Sequence, residues 1–234
     1  MAKAFDTWTV LPHKPIEKLA DNLWRVSGTM PSGRTQRQMV LARLRDGRVL
    51  VHNAIAMGEA EMAELEAWGT PAILFVPNGF HRQDAAIWKQ RYPKMTVVAP
   101  AGSRKRVEKV VPVELTSDQA ALDDSVSLRP IEGLPAESVL EVRSGDGQVS
   151  LVVCDALFNL KRGGVVENVL LGPTGKVAVA RVARLFLVKD KRAYASTLER
   201  WAETPGLCRV LVGHGRPIVD DPAGKLRSAA AQIS

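Results

Sequence analysis

The chain has 234 residues, 46% of them apolar and 24% charged, which is the composition of an ordinary globular protein with room for a sizeable core. Its longest apolar stretches fall far short of the ~20 residues that a membrane-spanning helix needs, so no membrane partner is expected. The net charge of +7 favours anionic partners. Aromatic residues make up only 5% and do not interleave with the basic clusters, which argues against nucleic-acid binding. We therefore expect a small molecule, anionic to match the charge, as the partner.

The cysteines and the N-terminal segment bear on the cellular compartment. Cys154 and Cys208 are too few for a disulfide framework and suit a reducing environment. Both fall in strand-like apolar segments, where cysteine behaves as a small core residue. The opening segment MAKAFDTWTVLPHKP has no apolar core followed by small residues, so it does not resemble a secretory signal. We expect a cytoplasmic protein.

Strand-like and helix-like segments alternate in the first half of the chain. The predicted elements there are strands at 23–30, 38–54, 72–76 and 96–100 and helices at 58–69 and 84–91. An Asp-Gly pair within Arg45-Asp46-Gly47-Arg48 predicts a hairpin inside the second strand segment. The alternation over roughly residues 48–100 predicts parallel strands joined by right-handed crossovers.

The second half changes character. The segments 126–133 and 138–155, with a Gly145-Asp146-Gly147 turn, predict an antiparallel arrangement. A helix at 191–203, a strand at 208–215 and a final helix in DPAGKLRSAAAQIS follow, and a Gly163-Gly164 pair predicts a loop beside the pocket. With no internal repeat and no convincing linker, the chain is expected to form one mixed α/β domain over residues 1–234.

Polar side chains follow several of the apolar strands. His52 closes RVLVH, His81 follows AILFVPNGF, Asp155 ends SLVVCD, and His214 lies in VLVGHG. A single histidine at a strand end is usually a hydrogen-bonded structural residue. Several such residues at strand ends point to a common site, because ligands gather at that rim of an α/β sheet. Imidazole and carboxylate groups together suit zinc, manganese or iron.

Three segments resemble the metallo-β-lactamase-fold superfamily in their order along roughly residues 20–220. VLVGHGRPI (210–218) resembles its C-terminal "PGHG-x-P" segment, LVVCDALF (151–158) its "GD-x-LF" strand end, and GLPAESVL (133–140) its "GHTPGSVL" segment. The resemblance implies a four-layer αββα sandwich. It also places His214 on a metal-ligand histidine and Asp155 on the metal-bridging acid.

The ligand motifs of that superfamily are altered in this chain. Leu134 stands where the family has a ligand histidine, and His52-Asn53 replaces its acid-containing "LIDTG" segment. The family's H-x-H-x-D-H motif falls on PNGFHRQD. Aligning its second histidine with His81 puts Gly79, Gln83 and Asp84 on the first histidine, the aspartate and the last histidine. Because Gly79 and Leu134 have no coordinating atom, we expect the standard dinuclear site to be lost.

A single-metal site remains chemically reasonable. Asp84, Asp155 and His214 could hold one Zn²⁺, Mn²⁺ or Fe²⁺, with His81 acting as an acid or base. Without metal, Asp84 could cap the helix at 84–91, and Asp155 could pair with His214. The remaining residues expected to line the pocket are His52, Gln83 and Leu134.

Two functions follow from these alternatives. The preferred one is a non-catalytic ligand-binding or interaction module that retains the fold. The other is a mononuclear metal-dependent hydrolase that acts on an ester, thioester, amide or phosphoester.

Overall fold

The computed structural model of the protein describes residues 3–30, 36–161, 172 and 174–233. Strands β1–β7 are Glu17–Ala20, Leu23–Thr29, Gln36–Arg43, Arg48–His52, Thr70–Phe75, Thr96–Ala99 and Leu115–Thr116. Strands β8–β11 are Val126–Pro130, Ser138–Arg143, Val149–Val152 and Leu207–Leu211. The helices are α1 (Glu59–Trp68), α2 (Ala85–Arg91), α3 (Arg104–Val107), α4 (Arg181–Phe186), α5 (Lys191–Ala202) and α6 (Pro222–Ala231). The loop predicted at Gly163-Gly164 lies outside the described residues.

The strands form two sheets. One contains β1 to β7 side by side in chain order, and the other has the order β11-β10-β9-β8. In the first sheet, β1 to β4 pair antiparallel and β4 to β7 pair parallel. In the second, β8, β9 and β10 are antiparallel, and β11 joins β10 in parallel. The predicted change from parallel crossovers to antiparallel hairpins is confirmed.

Among the residues that the structure describes, alternation of side chains along the strands creates three apolar cores. In β4, Val49 and Val51 pack with helices α1–α3, whereas Leu50 packs against the second sheet. On the far side of the second sheet, Tyr194 and Leu198 of α5 form a core together with α6. The layers therefore run helix, sheet, sheet, helix, which confirms the predicted αββα sandwich.

The last two helices begin at capping aspartates. The side chain of Asp190 accepts the N–H of Ala193 at the start of α5, and that of Asp221 accepts the N–H of Gly224 at the start of α6. Both caps satisfy donors that the first helical turn leaves unpaired. None of the helices in the described part of the chain is both long and apolar enough to cross a membrane.

Two glycines with nearly the same backbone angle give a matched test of packing. Gly133 (φ +76°) and Gly147 (φ +78°) both adopt the left-handed conformation. A Cβ on Gly133 would lie 2.1 Å from the carbonyl oxygen of Asp190, whereas a Cβ on Gly147 would meet nothing within 4 Å. Backbone strain alone should make Gly147→Ala cost about 1 kcal/mol of unfolding free energy, and Gly133→Ala should cost more. Equal losses in urea denaturation would contradict the close approach at Gly133.

Candidate metal centre

Polar side chains collect beyond the C-terminal ends of three strands. His81 follows β5, Asp155 follows β10 and His214 follows β11. Because β10 and β11 are parallel neighbours, paired through Val152 and Leu211, their ends deliver Asp155 and His214 to the same edge. Since β5 belongs to the other sheet, the site lies where loops of both sheets meet.

The side chains of His81, Asp155 and His214 converge on one point. His81 Nε2 lies 3.3 Å from Asp155 Oδ1 and 3.2 Å from His214 Nε2. His214 Nε2 lies 3.5 Å from the same oxygen of Asp155. The side chains of Asp155 and His214 are each 21% exposed, so a small molecule or water can reach the cluster. We call these three residues the rim cluster.

Neighbouring groups fix which ring nitrogen of each histidine carries hydrogen. The Asn53 amide nitrogen donates to the Gln38 carbonyl, which turns Asn53 Oδ1 toward His81 Nδ1 at 3.2 Å. His214 Nδ1 lies 2.8 Å from the carbonyl oxygen of Gln36. Both Nδ1 atoms face acceptors and therefore donate, so each neutral ring directs an Nε2 lone pair into the cluster. Two lone pairs and a carboxylate oxygen this close together need a positive charge between them.

Asn78 orients the loop that carries His81. Its side-chain oxygen accepts the N–H groups of Phe80 and His81, at 2.9 and 3.2 Å, which forms the turn after β5. Its side-chain nitrogen donates to Asp155 Oδ2 at 2.8 Å. One asparagine thus connects the histidine loop to the carboxylate, and leaves Asp155 Oδ1 for the histidines. Sequence reasoning missed this role, although the Pro-Asn-Gly turn was a signal of it.

Glu137 holds the turn that presents Asp155. Its buried carboxylate accepts the backbone N–H groups of Cys154, Asp155 and Ala156, the last two at 2.9 and 3.2 Å. Burial first, and then the charge of Asp155, raise the pKa of Glu137 to about 7, while the three amides act in the opposite direction. Sequence reasoning missed this residue too, although an acid within the apolar segment GLPAESVL is unusual enough to have marked it.

Burial and charge compete within the rim cluster. Burial would raise the pKa of Asp155, but the charge of His81 and its hydrogen bond hold that pKa well below the usual range. Burial lowers the pKa of His81, and the charge and hydrogen bond of Asp155 outweigh it, so the net shift is upward. Burial and then the charge of His81 lower the pKa of His214. Asp155 is therefore the fixed anion, and His81 is the histidine that carries a proton most readily.

The structure does not bring Asp84 into the cluster. Its buried carboxylate pairs with the guanidinium of Arg37 and accepts the N–H of Ala56 at 3.0 Å. Asp84 sits at the N-cap position of α2, but its side chain makes no capping hydrogen bond. Gln83, expected to line the pocket, is buried and accepts from the same Arg37 at 3.3 Å. The buried Arg37 thus binds both Gln83 and Asp84, the side chains that follow the loop of His81.

Leu134 also departs from its expected place. It is 1% exposed and belongs to the apolar core between the second sheet and helices α5 and α6. It therefore packs as a core residue, and the expectation that it lines the pocket does not match this position. Gly79, at the other altered ligand position, lies against the side chain of Arg106.

His52 is buried without a partner. The residue is 1% exposed, and among the described residues neither of its ring nitrogens finds a hydrogen bond. It lies on β4 beside Phe75, with 5.4 Å between ring centroids. Burial, and secondarily the charge of His81, lower its pKa to about 3. The residue was expected to line the pocket. It is instead buried on β4, close enough to His81 for the charge of that ring to lower its pKa.

Cys154 lies close to the rim cluster as well as in the core. Its sulfur is within 4.8 Å of ligand atoms of His81 and Asp155, a grouping that sequence reasoning did not suggest. Burial raises the pKa of this thiol well above its ordinary value, which keeps it protonated. As a thiol it is a weak ligand, but a bound cation would favour its thiolate. Cys154 is therefore a further potential donor beside the two imidazoles and the carboxylate.

Three solved metallo-β-lactamases are similar in architecture to this chain. The DIM-1 metallo-β-lactamase exposed to ceftazidime matches with a TM-score of 0.64 and 16% identity, over 97% of this chain and 100% of that one. The metallo-β-lactamase from Hirschia baltica matches with a TM-score of 0.59 and 12% identity, over 93% of this chain and 98% of that one. The metallo-β-lactamase from Erythrobacter litoralis has β-mercaptoethanol in its active site. It matches with a TM-score of 0.63 and 11% identity, over 93% of this chain and 96% of that one.

Sequence comparisons find no match, although structural comparisons do. No protein-family model matches the chain, and no curated protein does either. The resemblance seen in the strand-end segments is nevertheless confirmed at the level of the fold. The chain has the metallo-β-lactamase fold.

His52 makes a testable contribution to acid sensitivity. With its pKa near 3 when folded and near 6.5 when unfolded, the unfolded state binds the proton first as the pH falls. Stability should therefore be lost between about pH 6.5 and 3, by up to about 3 kcal/mol between pH 7 and 4. His52→Leu should remove most of this loss in chemical denaturation followed across that range. An unchanged pH profile in His52→Leu, matching that of the half-buried control His13→Leu, would contradict it.

The turn held by Glu137 gives a second prediction. In Glu137→Gln, the amide nitrogen must face backbone N–H groups that now bind a carboxylate. Leaving buried donors unpaired should lower the unfolding free energy by about 1–3 kcal/mol at pH 8. Urea denaturation measures this, with Glu132→Gln as the control, since Glu132 makes an exposed ion pair with Arg200. The prediction fails if both variants lose the same small amount.

Proposed function

We propose that the protein is a hydrolase that uses one divalent metal ion held by His81, Asp155 and His214. The meeting of two Nε2 lone pairs and a carboxylate oxygen carries this proposal. Donor atoms bound to a tetrahedral zinc ion at about 2.0–2.1 Å lie about 3.3–3.4 Å from one another. The separations in the rim cluster are 3.2, 3.3 and 3.5 Å. The donor set therefore fits an ion in both chemistry and spacing.

The surrounding residues act as the supports that such a site needs. The acceptors Gln36 and Asn53 hold the two rings through Nδ1, and Asn78 holds the second oxygen of Asp155. Partners of this kind fix the orientation of metal-binding side chains and raise their basicity. When bound, the ion would supply Lewis-acid chemistry at a carbonyl or phosphoryl oxygen of an ester, thioester, amide or phosphoester. Three protein donors on a partly exposed rim leave room for the substrate.

This donor set differs from the one inferred from sequence. His81 takes the place of Asp84, because the carboxylate of Asp84 is committed to Arg37. As a ligand, His81 no longer serves as the free acid or base that the sequence suggested. The ion can be zinc, manganese or iron, since two imidazoles and one carboxylate suit all three.

The non-catalytic module is the second candidate, and a specific feature favours it. A proton on His81 Nε2 also supplies a positive charge to the rim cluster, and its raised pKa favours that state. Leu134 and Gly79 offer no donor to a second ion. In this alternative the rim is a polar binding surface for a small anionic molecule.

Metal content separates the two candidates. Protein expressed with zinc, manganese and iron present should contain about one equivalent of metal and melt at a higher temperature than after chelation. His81→Ala, Asp155→Ala and His214→Ala should each lose the metal, whereas the matched control His13→Ala should keep it. Elemental analysis of the purified proteins measures all five. Less than about a tenth of an equivalent in the unmodified protein, with no thermal shift on adding metal, would leave the non-catalytic module.

The reaction type needs its own measurement. The metal-loaded protein should hydrolyse a chromogenic ester, thioester or phosphoester, and His214→Ala should not. If Fe²⁺ is the ion bound and no ester or phosphoester is cleaved, hydrolysis is the wrong reaction. Two histidines and one carboxylate with open positions are also the ligands of non-haem iron oxygenases.

A further inference from the structure

We propose that a cavity of about 250 Å³ beside the rim cluster binds the oxyanion of an amphipathic substrate, a carboxylate or a phosphate. Its lining includes Asn78, Phe80, Arg106, Phe186 and Lys189, and we call it the anion pocket. As a substrate site it rests on the proposed hydrolase, but its ability to bind an anion can be tested without metal.

The anion pocket adjoins the rim cluster through shared residues. Asn78 lines the pocket and also donates to Asp155. Phe80 lines the pocket and directly precedes His81 in the same turn. The three donors do not line the pocket themselves, but two of its lining residues connect it to them. This proximity distinguishes the pocket from the larger cavity of about 630 Å³ at the hairpin turns around Leu44 and Gly145.

Two cations of the anion pocket are free for a ligand. Within the described residues, neither Arg106 nor Lys189 forms an ion pair. Lys189 Nζ donates to the carbonyl of Phe186 at 3.2 Å, which leaves further N–H donors. The Arg106 guanidinium lies 4.6 Å from the centre of the Phe80 ring.

Acidic residues near these cations are engaged elsewhere, including Asp155 of the adjoining rim cluster, which faces His81 and His214. Glu108 pairs with Arg104 at 2.8 Å, and Asp190 caps α5 through the N–H of Ala193. Two uncompensated cations on one small cavity create a field that attracts an anion. The planar guanidinium adds a preference for carboxylate or phosphate oxygens.

Glycine at position 79 makes room for the arginine. A Cβ there would lie 2.7 Å from Cδ and 2.8 Å from Cβ of Arg106, so the stem of Arg106 rests on the backbone of Gly79. The same glycine occupies a position at which the resemblance placed a metal-ligand histidine. A histidine at position 79 would therefore clash with the side chain of Arg106, so the position cannot hold that ligand while Arg106 keeps its place.

The rest of the lining is apolar and exposed. Phe80 is 42% and Phe186 68% exposed, and both flank the cationic part of the pocket. Aromatic faces beside a cationic subsite suit a ligand whose apolar body carries one oxyanion. The substrate class is therefore an acyl or phosphoryl compound with an apolar group and a free carboxylate or phosphate.

Binding of three related probes tests the charge requirement. We expect 3-phenylpropionate and phenyl phosphate to bind at least about tenfold more tightly than the neutral 3-phenylpropanamide, and to weaken as salt is added. Calorimetric titrations are run on the protein as purified and again after chelation and dialysis. The stronger of the two anionic probes identifies the oxyanion. Equal binding of the amide and both anions would overturn the proposal.

Variants locate the binding and separate it from the metal site. Arg106→Gln and Lys189→Gln should each weaken anion binding about tenfold. Lys105→Gln, on the same short helix but outside the pocket lining, should not. If Arg106→Gln and Lys189→Gln both bind the anion as tightly as the unmodified protein, the anion-pocket proposal is wrong, whatever the metal content. All three should retain the metal of the unmodified protein. If the unmodified protein binds the anion but contains less than about a tenth of an equivalent of metal as purified, the hydrolase is wrong and the anion pocket stands.

Discussion

The hydrogen bonds between Glu137 and the backbone after β10 are the constraint on which the candidate site depends. A strand that ends at a sheet edge leaves amides unpaired, and a buried unpaired amide is costly. Glu137 accepts three of them, from residues 154 to 156, and so fixes the turn that points Asp155 outward. These donors favour the charged form of Glu137, although burial and the charge of Asp155 outweigh them and raise its pKa. The position of the rim carboxylate is thus set from behind by a second carboxylate.

In the other sheet, a buried ion pair holds the loop that carries His81. Arg37 of β3 binds Asp84 and Gln83, and Asp84 also accepts the N–H of Ala56 after β4. Three segments from different parts of the chain are therefore joined beneath the histidine loop. Removing one member of such a pair leaves an uncompensated buried charge, which makes the arrangement all-or-none. The Arg37–Asp84 pair therefore holds the chain that follows His81, and Asn78 holds the turn that contains His81.

Periodicity was sufficient for part of the architecture. Alternating strands and helices before residue 100, and Asp-Gly turns at residues 46–47 and 146–147, predicted the parallel and antiparallel halves. The four-layer sandwich was predicted from the resemblance of the strand-end segments. Asp155 and His214 were expected at one edge for a similar reason, since both follow apolar strands directly, and their side chains lie 3.5 Å apart. Glu137 and Asn78 were missed because their roles lie in hydrogen bonds to backbone from distant segments, which no local pattern records.

Asp84 and Leu134 show where alignment by spacing fails. Asp84 was counted as a ligand because it falls on a ligand position, but its charge is balanced by Arg37, which lies 47 residues earlier. Leu134 was expected to face the pocket, yet its apolar side chain has a core to enter on the other side of the loop. In both cases the partner that decides the orientation comes from another strand or helix. Sequence spacing fixes which loop a residue lies on, and burial decides which way it points.

The geometry of the rim also bears on what occupies it. A single proton on His81 Nε2 can point at one acceptor, either Asp155 Oδ1 at 3.3 Å or His214 Nε2 at 3.2 Å. Both separations are long for a strong charge-assisted hydrogen bond, which is about 2.7–2.9 Å. The other acceptor is then left without a donor within the cluster. A metal ion has no such directional limit and accepts all three lone pairs at once. Gln36, Asn53 and Asn78 hold all three donors in place, as the supports of the proposed ion would.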